Sequence, residues 1–336
     1  MPASLTPNTP VTPQHPLPSG FGRHTTAAES IGGADLHGRL AIVTGGYAGI
    51  GLETSRVLSA AGATLVVPAR DVAKARSALA DLPRVEIAPL DLADPASIDA
   101  FARGFLATDR PLHLLVCNAG IMATPLSRDA RGFESQFATN HLGHFQLAGR
   151  LWPGLLRAGR ARVVSLSSGA HRFSDIDFDD PNYLHRDYDK WKAYGQSKTA
   201  TALFALGLDR RGADRGVRAF SVHPGSIATE LTRHVALADL QAMGFRDAEG
   251  NITPRIAALY KTVAQGAATT VWCAANPQLE GLGGVYCEDC DIAGPAPAGE
   301  ARSGTSGVLP WAMDGERAER LWALSEALTG VVFGGR

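Results

Sequence analysis

Between residues 40 and 222 a short apolar run followed by a stretch of helical character recurs six times, and this rhythm restricts the fold more than any other feature. The runs lie at residues 40–43, 64–67, 85–88, 112–116, 162–166 and 217–222. They have the length and apolar character of strands buried on both faces. The intervening stretches carry helix signals. Gly62 stops the first, Asp71 is placed to cap a helix running through Leu82, and Asp94 precedes a proline, Pro95, at a first helical position. Strands alternating with helices of ~10–15 residues predict βαβ units. The expected fold is therefore α/β: a doubly wound, mostly parallel sheet with helices on both faces, in a single domain over residues 34–294.

Beyond Gly225 the rhythm breaks. Residues 230–255 read as an irregular or helical insertion, 256–275 as one more helix, and 284–287 as a last strand. Residues 295–336 form a linker and a final helix. Asp314 caps that helix, and Ala318, Leu321, Trp322 and Leu328 share one face before Gly330. Residues 1–33 are rich in Pro, Thr, Ser and Gly and read as a largely disordered arm, with one helical turn marked by a Thr26–Glu29 capping box.

Composition narrows the function. Hydrophobic residues make up 45% of the chain, enough for a sizeable core, and the formal net charge is −1. No basic run offers an electrostatic footprint for nucleic acid or an acidic membrane surface. No signal sequence is visible at the N-terminus, and no uninterrupted apolar run is long enough to span a bilayer. The four cysteines do not make a disulfide framework, and Cys287-x-x-Cys290 lacks the second pair that a zinc site needs. The expectation is a cytoplasmic protein without a metal.

Two local patterns carry chemistry. Gly45, Gly49 and Gly51 lie in a Gly-x-x-x-Gly-x-Gly loop between the first strand and the first helix. Such a loop either cradles a dinucleotide pyrophosphate at the helix N-terminus or merely makes a tight turn. Tyr194 and Lys198, four residues apart, share one face of a helix, so a cation stands beside a phenol.

With these patterns stand Cys117-Asn118-Ala119-Gly120 after the fourth strand, Asn140 in Thr139-Asn140-His141-Leu142-Gly143-His144, Ser168 in Ser165-Leu166-Ser167-Ser168, and Pro224-Gly225 with Thr229. In this order the set resembles the short-chain dehydrogenase/reductase family, from Leu36 to about Cys290. The segments 111–119, 140–145 and 167–173 are similar to its retinol-dehydrogenase-like branch, which includes the WW-domain oxidoreductase. No WW domain is expected, because residues 1–33 contain no Trp.

The resemblance implies a nicotinamide dinucleotide held by Gly45, Tyr47, Gly49, Ile50, Gly51, Asp91, Leu92, Asn118, Ala119, Gly120, Tyr194, Lys198, Pro224, Gly225 and Thr229. It further implies Tyr194 as general acid or base, with Lys198 lowering its pKa and holding the ribose. Ser168 would orient the substrate oxygen, and Asn140 would support a route of proton resupply. Ser167 is expected to point away from the site, by alternation along a strand end. His171 has no matched role and is expected at the surface.

The end of the second strand, Val67-Pro68-Ala69-Arg70, carries no acid before Asp71, and Arg70 is placed to pair with a 2′-phosphate. NADP(H) is therefore favoured over NAD(H), although Tyr47 and Ala48 fill the part of the glycine loop where many NADP enzymes carry a basic residue. Phe173, Tyr183, Tyr188 and Trp191, with residues 231–260, are expected to wall a pocket for a fairly hydrophobic ketone, aldehyde or alcohol. Alternative readings are reduction of a carbon–carbon double bond and a non-catalytic cofactor sensor or scaffold; the intact set of site residues disfavours the latter. The resemblance implies homo-oligomers through helices 133–150 and 194–212 as one arrangement, and the C-terminal helix either covers that surface, caps the substrate site or does neither.

Overall fold

The computed structural model describes residues 11–227, 231, 235–296 and 306–334. In chain order they form α1 (Ala27–Ser30), β1 (Leu40–Val43), α2 (Gly49–Ala60), β2 (Thr64–Ala69), α3 (Val72–Ala78), β3 (Val85–Pro89), α4 (Pro95–Leu106) and β4 (Leu114–Cys117). Then come α5 (Ser135–Phe137), a π-turn (Ala138–Leu142), α6 (Gly143–Arg157), β5 (Ala161–Leu166), α7 (Lys190–Gly212), β6 (Val217–His223) and β7 (Ser226–Ile227). The last part holds α8 (Leu237–Ala242), α9 (Pro254–Ala257), β8 (Tyr260–Lys261), α10 (Val263–Ala275), β9 (Val285–Glu288), β10 (Asp291–Ile292) and α11 (Gly315–Thr329).

Eight strands make one sheet in the order β10-β9-β6-β5-β4-β1-β2-β3. All pairings are parallel except β10 against β9. Period-two alternation divides each strand between two cores. Leu40, Ile42, Leu115 and Val163 face Phe101, Phe105, Phe145 and Phe204 of α4, α6 and α7. Ala41, Val43, Val116 and Val164 face Leu58 of α2 and Trp272 of α10. This two-sided burial is why the strands read as unbroken apolar runs. The helix starts follow their side chains: Asp71 accepts from Lys74 N–H, Asp94 from Ala96, Asp189 from Trp191 and Lys192, and Asp314 from Arg317.

Helix α7 is buried nearly all round from Ala193 to Asp209. Its outward face lies under α11, the fate of the apolar stripe read from the tail. Trp322 stacks on Phe204 at 6.2 Å, meets Phe145 edge-on at 5.0 Å, and lies beneath the Arg211 guanidinium at 4.0 Å. Trp322→Ala should therefore lower the unfolding free energy by about 3–5 kcal/mol, measured by urea titration. A loss below ~1 kcal/mol would show that α11 is a dispensable cover.

Three expectations need correction. The segment 256–275 is two helices split by β8, because β8 pairs with β7 in a small separate sheet. The stretch 133–150 is not one regular helix: the chain widens into the π-turn around Asn140. Residues 11–33 are not a loose arm. Gln14 exchanges hydrogen bonds with the N–H and C=O of Tyr286 and donates to Ala293 O, all at 2.7–2.9 Å. Leu17 N–H donates to Asp291 at 2.7 Å, and Gly283 N–H donates to Thr12 Oγ1 at 3.0 Å. Side-chain amides and carboxylates thus fasten the segment along the β9–β10 edge.

Candidate active site

A cavity of about 890 Å³ runs across the C-terminal ends of the strands from β2 to β6. It crosses the β1/β4 boundary, where the winding of the sheet reverses. Four strand steps give it a span of about 19 Å.

The glycine loop forms its floor. Gly45 has φ +63°, and a Cβ on Gly51 would lie 2.3 Å from Gly45 O, so neither position accommodates a side chain. Helix α2 begins at Ala48 without a side-chain cap. Its first N–H groups therefore have no side-chain acceptor at the cavity wall, which suits a phosphate. Thr44 Oγ1 accepts from both Asn118 and Ala119 N–H at 2.9 and 3.0 Å, and Asn118 Nδ2 donates to Thr44 O at 2.8 Å. These bonds lock the end of β4 to the end of β1. Asp91 lines the cavity and also braces the turn before α4, accepting from Ala93 N–H at 2.9 Å.

Beyond the end of β5, Ser168 meets Tyr194 and Lys198 of α7 at the cavity wall. Ser168 Oγ accepts Ala170 N–H at 3.1 Å, which leaves its own proton for another oxygen. Burial pushes the Tyr194 phenol up to about 12, against a hydrogen bond from Ser168. Burial also brings the Lys198 ammonium down to about 8; its Nζ donates to Leu166 O at 2.8 Å and stands 5.6 Å from the Tyr194 ring centroid. Burial thus favours the protonated, neutral phenol.

Of the residues named from the sequence, Gly45, Tyr47, Gly49, Ile50, Gly51, Arg70, Leu92, Asn118, Ala119, Gly120, Pro224 and Gly225 also line the cavity. Thr229 lies outside the described residues. Asn140 stands behind the wall, at the centre of the π-turn. Its Oδ1 accepts from Ile121 N–H at 2.9 Å, and its Nδ2 donates to Ile121 O and Ser197 Oγ. Ser167 is turned back, donating to Lys198 O at 2.7 Å.

Two further corrections concern the walls. Phe173 and Trp191 line the cavity, with Leu240, Met243, Phe245 and Tyr260 opposite. Tyr183 and Tyr188 do not: Tyr183 lies under the Arg186 guanidinium, and Tyr188 hydroxyl bonds to Thr124 O, Glu134 and Gln136. His171 is fully buried rather than at the surface, because the segment around Leu309 closes over it. Helix α11 contributes nothing to the cavity wall.

Sequence reasoning missed three residues. Lys74, one turn past Arg70, lines the same end of the cavity; its spacing to Arg70 was the available signal. His144 joins Thr44 Oγ1 at 2.9 Å to Asn140 O at 3.0 Å, bridging glycine loop and π-turn. His223, directly before Pro224, lines the cavity and accepts two backbone N–H groups.

A family profile described as short chain dehydrogenase matches residues 39–239, most of the unit that carries this cavity. The chain belongs to the short-chain dehydrogenase/reductase family. A probable oxidoreductase of Streptomyces lividans is 47% identical over 294 residues, covering 86% of this chain and 96% of that protein. Human retinol dehydrogenase 12 is 38% identical over 302 residues, covering 88% of each, in keeping with the retinol-dehydrogenase-like branch. The crystal structure of an uncharacterised protein from Mycobacterium paratuberculosis superimposes with TM-score 0.70 at 33% identity, covering 93% of this chain and all of that one. This short-chain dehydrogenase/reductase is an NAD(P)-dependent oxidoreductase. Among the described residues no helix is long and apolar enough to cross a membrane.

Proposed function

We propose that this enzyme interconverts a ketone or aldehyde and an alcohol on a fairly hydrophobic small molecule, using NADP(H). The convergence of Ser168, Tyr194 and Lys198 beside an apolar wall carries the reading. When bound, the dinucleotide supplies or accepts the hydride.

The chain's own residues do the rest. Ser168, its oxygen already engaged by Ala170 N–H, turns its proton toward the substrate oxygen and fixes it within reach of Tyr194. Tyr194, held neutral by burial, donates its proton as negative charge develops on that oxygen. Lys198 is protonated at pH 7 with a pKa of about 8, and its positive charge favours the phenolate left behind. Asn140 clamps Ile121 and Ser197, holding the Gly120 wall and the α7 turn in register. In the reverse direction the phenolate accepts the alcohol proton.

The glycine loop and the uncapped start of α2 fit a pyrophosphate. At the β2 end Arg70 and Lys74 line the cavity, while Asp71 beside them accepts Lys74 N–H at 2.9 Å as a helix cap. Two cations and a preoccupied carboxylate support a 2′-phosphate. Phe173, Trp191, Leu240, Met243 and Phe245 offer no charge to the substrate, so apolar carbonyl compounds fit best. The four cysteines are free and buried, which suits a reducing compartment such as the cytoplasm.

Steady-state rates with NADPH and NADH on an apolar ketone test the cofactor assignment. Arg70→Ser should raise KM for NADPH by about 10–100-fold, the worth of one charge-assisted contact, and leave KM for NADH within about threefold. Equal changes for both cofactors would overturn the role of Arg70.

A further inference from the structure

Ser168 reaches the cavity from the second residue beyond β5, where no strand pairing holds the backbone. The peptide unit that follows it is nevertheless fixed at both ends by imidazoles, His171 buried and His223 half-buried in the cavity wall. The C=O of Ser168 accepts from His171 Nδ1 at 2.8 Å. The N–H of Gly169, in the same peptide plane, donates to His223 Nδ1 at 3.0 Å.

The partners of each ring settle its tautomer. His223 Nδ1 also accepts Gly225 N–H at 3.3 Å, so the proton of that ring is on Nε2. His171 Nε2 accepts Leu309 N–H at 3.1 Å, so its proton is on Nδ1, aimed at Ser168 O with the Tyr286 hydroxyl 3.3 Å away. The two rings are opposite tautomers, and both must be neutral. Their surroundings agree: burial together with nearby Arg172 and Lys261 holds His171 at about 4 and His223 at about 3.

We propose that His171 and His223 are positioning residues that clamp the Ser168–Gly169 peptide and thereby set the direction of the Ser168 hydroxyl. The clamp fixes ψ of Ser168 at 157°. With that angle fixed, Ala170 N–H reaches Ser168 Oγ at 3.1 Å and the hydroxyl proton is left to point into the cavity. His223 at the same time ties this peptide to Gly225 on the opposite lip. The proposal rests on the carbonyl-reductase reading for its kinetic consequence, but the tautomers stand on geometry alone.

Side-chain amides separate the two ring nitrogens. Asn places an oxygen near the position of Nδ1, and Gln places its amide near Nε2. His223→Gln should lower kcat about 10–100-fold, the scale of a catalytic group displaced by about an ångström, while Kd for NADPH, read by fluorescence titration, changes less than threefold. His223→Asn should recover kcat to within about fivefold of the parent. Equal kcat in the two variants, whether high or low, would overturn the clamp, as would loss of NADPH binding in step with kcat. Histidine ¹⁵N NMR of the unmodified full-length protein provides the second readout. It should show His223 protonated on Nε2 and His171 on Nδ1; the opposite tautomer at either ring contradicts the proposal whether or not a substrate turns over. Expected tautomers with no carbonyl turnover on any substrate would instead count against the function reading alone.

Discussion

Tyr194→Phe is expected to lower kcat for carbonyl reduction by about 10²–10⁴, the worth of a positioned general acid, with dinucleotide affinity nearly unchanged. The substitution removes one oxygen from a side chain that is 4% exposed, leaves the ring in place, and creates no large void. Lys198 Nζ keeps its bond to Leu166 O, and Ser168 keeps its bond from Ala170 N–H. What disappears is the hydroxyl proposed to neutralise the developing alkoxide. A drop in kcat below tenfold would move the acid elsewhere. A parallel loss of NADPH binding would recast Tyr194 as a structural residue.

Acid should unfold this protein well above the carboxylate range, with the transition near pH 5. Four histidines, three of them buried and His223 half-buried in the cavity wall, are held low by desolvation: His141 at about 3, His144 and His171 at about 4, and His223 at about 3. In each, the unprotonated nitrogen has no acceptor for a second proton. His144 Nε2 faces the Thr44 hydroxyl, His171 Nε2 faces Leu309 N–H, and His223 Nδ1 faces two N–H groups. His141 gives its Nε2 proton to Ser325 Oγ, and its Nδ1 is buried without a partner.

The sign of the linkage follows from these depressed folded values. Below about pH 6.5 the unfolded chain takes up protons that the folded one refuses. Stability is thus full above the unfolded pKa and falls with pH until about 4–3, where the folded rings titrate. At pH 5 each ring accounts for about 2 kcal/mol, and four together approach the whole stability of an ordinary domain. Urea titrations at pH 7, 6 and 5 should show this steep fall, with about four protons taken up on unfolding. A flat profile from pH 7 to 5 would mean that the rings find acceptors on protonation.

Local signals carried the sheet and its helices into the sequence. Asp71, Asp94 and Asp314 mark helix starts because a side-chain cap is a contact over two or three residues, visible in order along the chain. The two-sided burial of β1 and β4 to β6 is likewise written in their composition. Most of the cavity wall followed, since the motifs quoted from the sequence lie at the ends of the strands that border it. What the sequence hid were contacts between distant segments. His171 is buried by Leu309, and Gln14 and Leu17 are fastened by Tyr286 and Asp291; no periodicity links such partners. Tyr183 and Tyr188 looked like pocket walls because aromatics in a loop near the site invite that reading, but Arg186 and Gln136 draw them away.

The most direct test incubates the enzyme and NADPH with a panel of hydrophobic ketones and aldehydes, some of them unsaturated, and identifies products by mass spectrometry. The account predicts an alcohol formed in one-to-one ratio with NADPH consumed, the carbonyl gaining two hydrogens and any carbon–carbon double bond left intact. A saturated ketone, or tight NADPH binding with every carbonyl compound untouched, would contradict it.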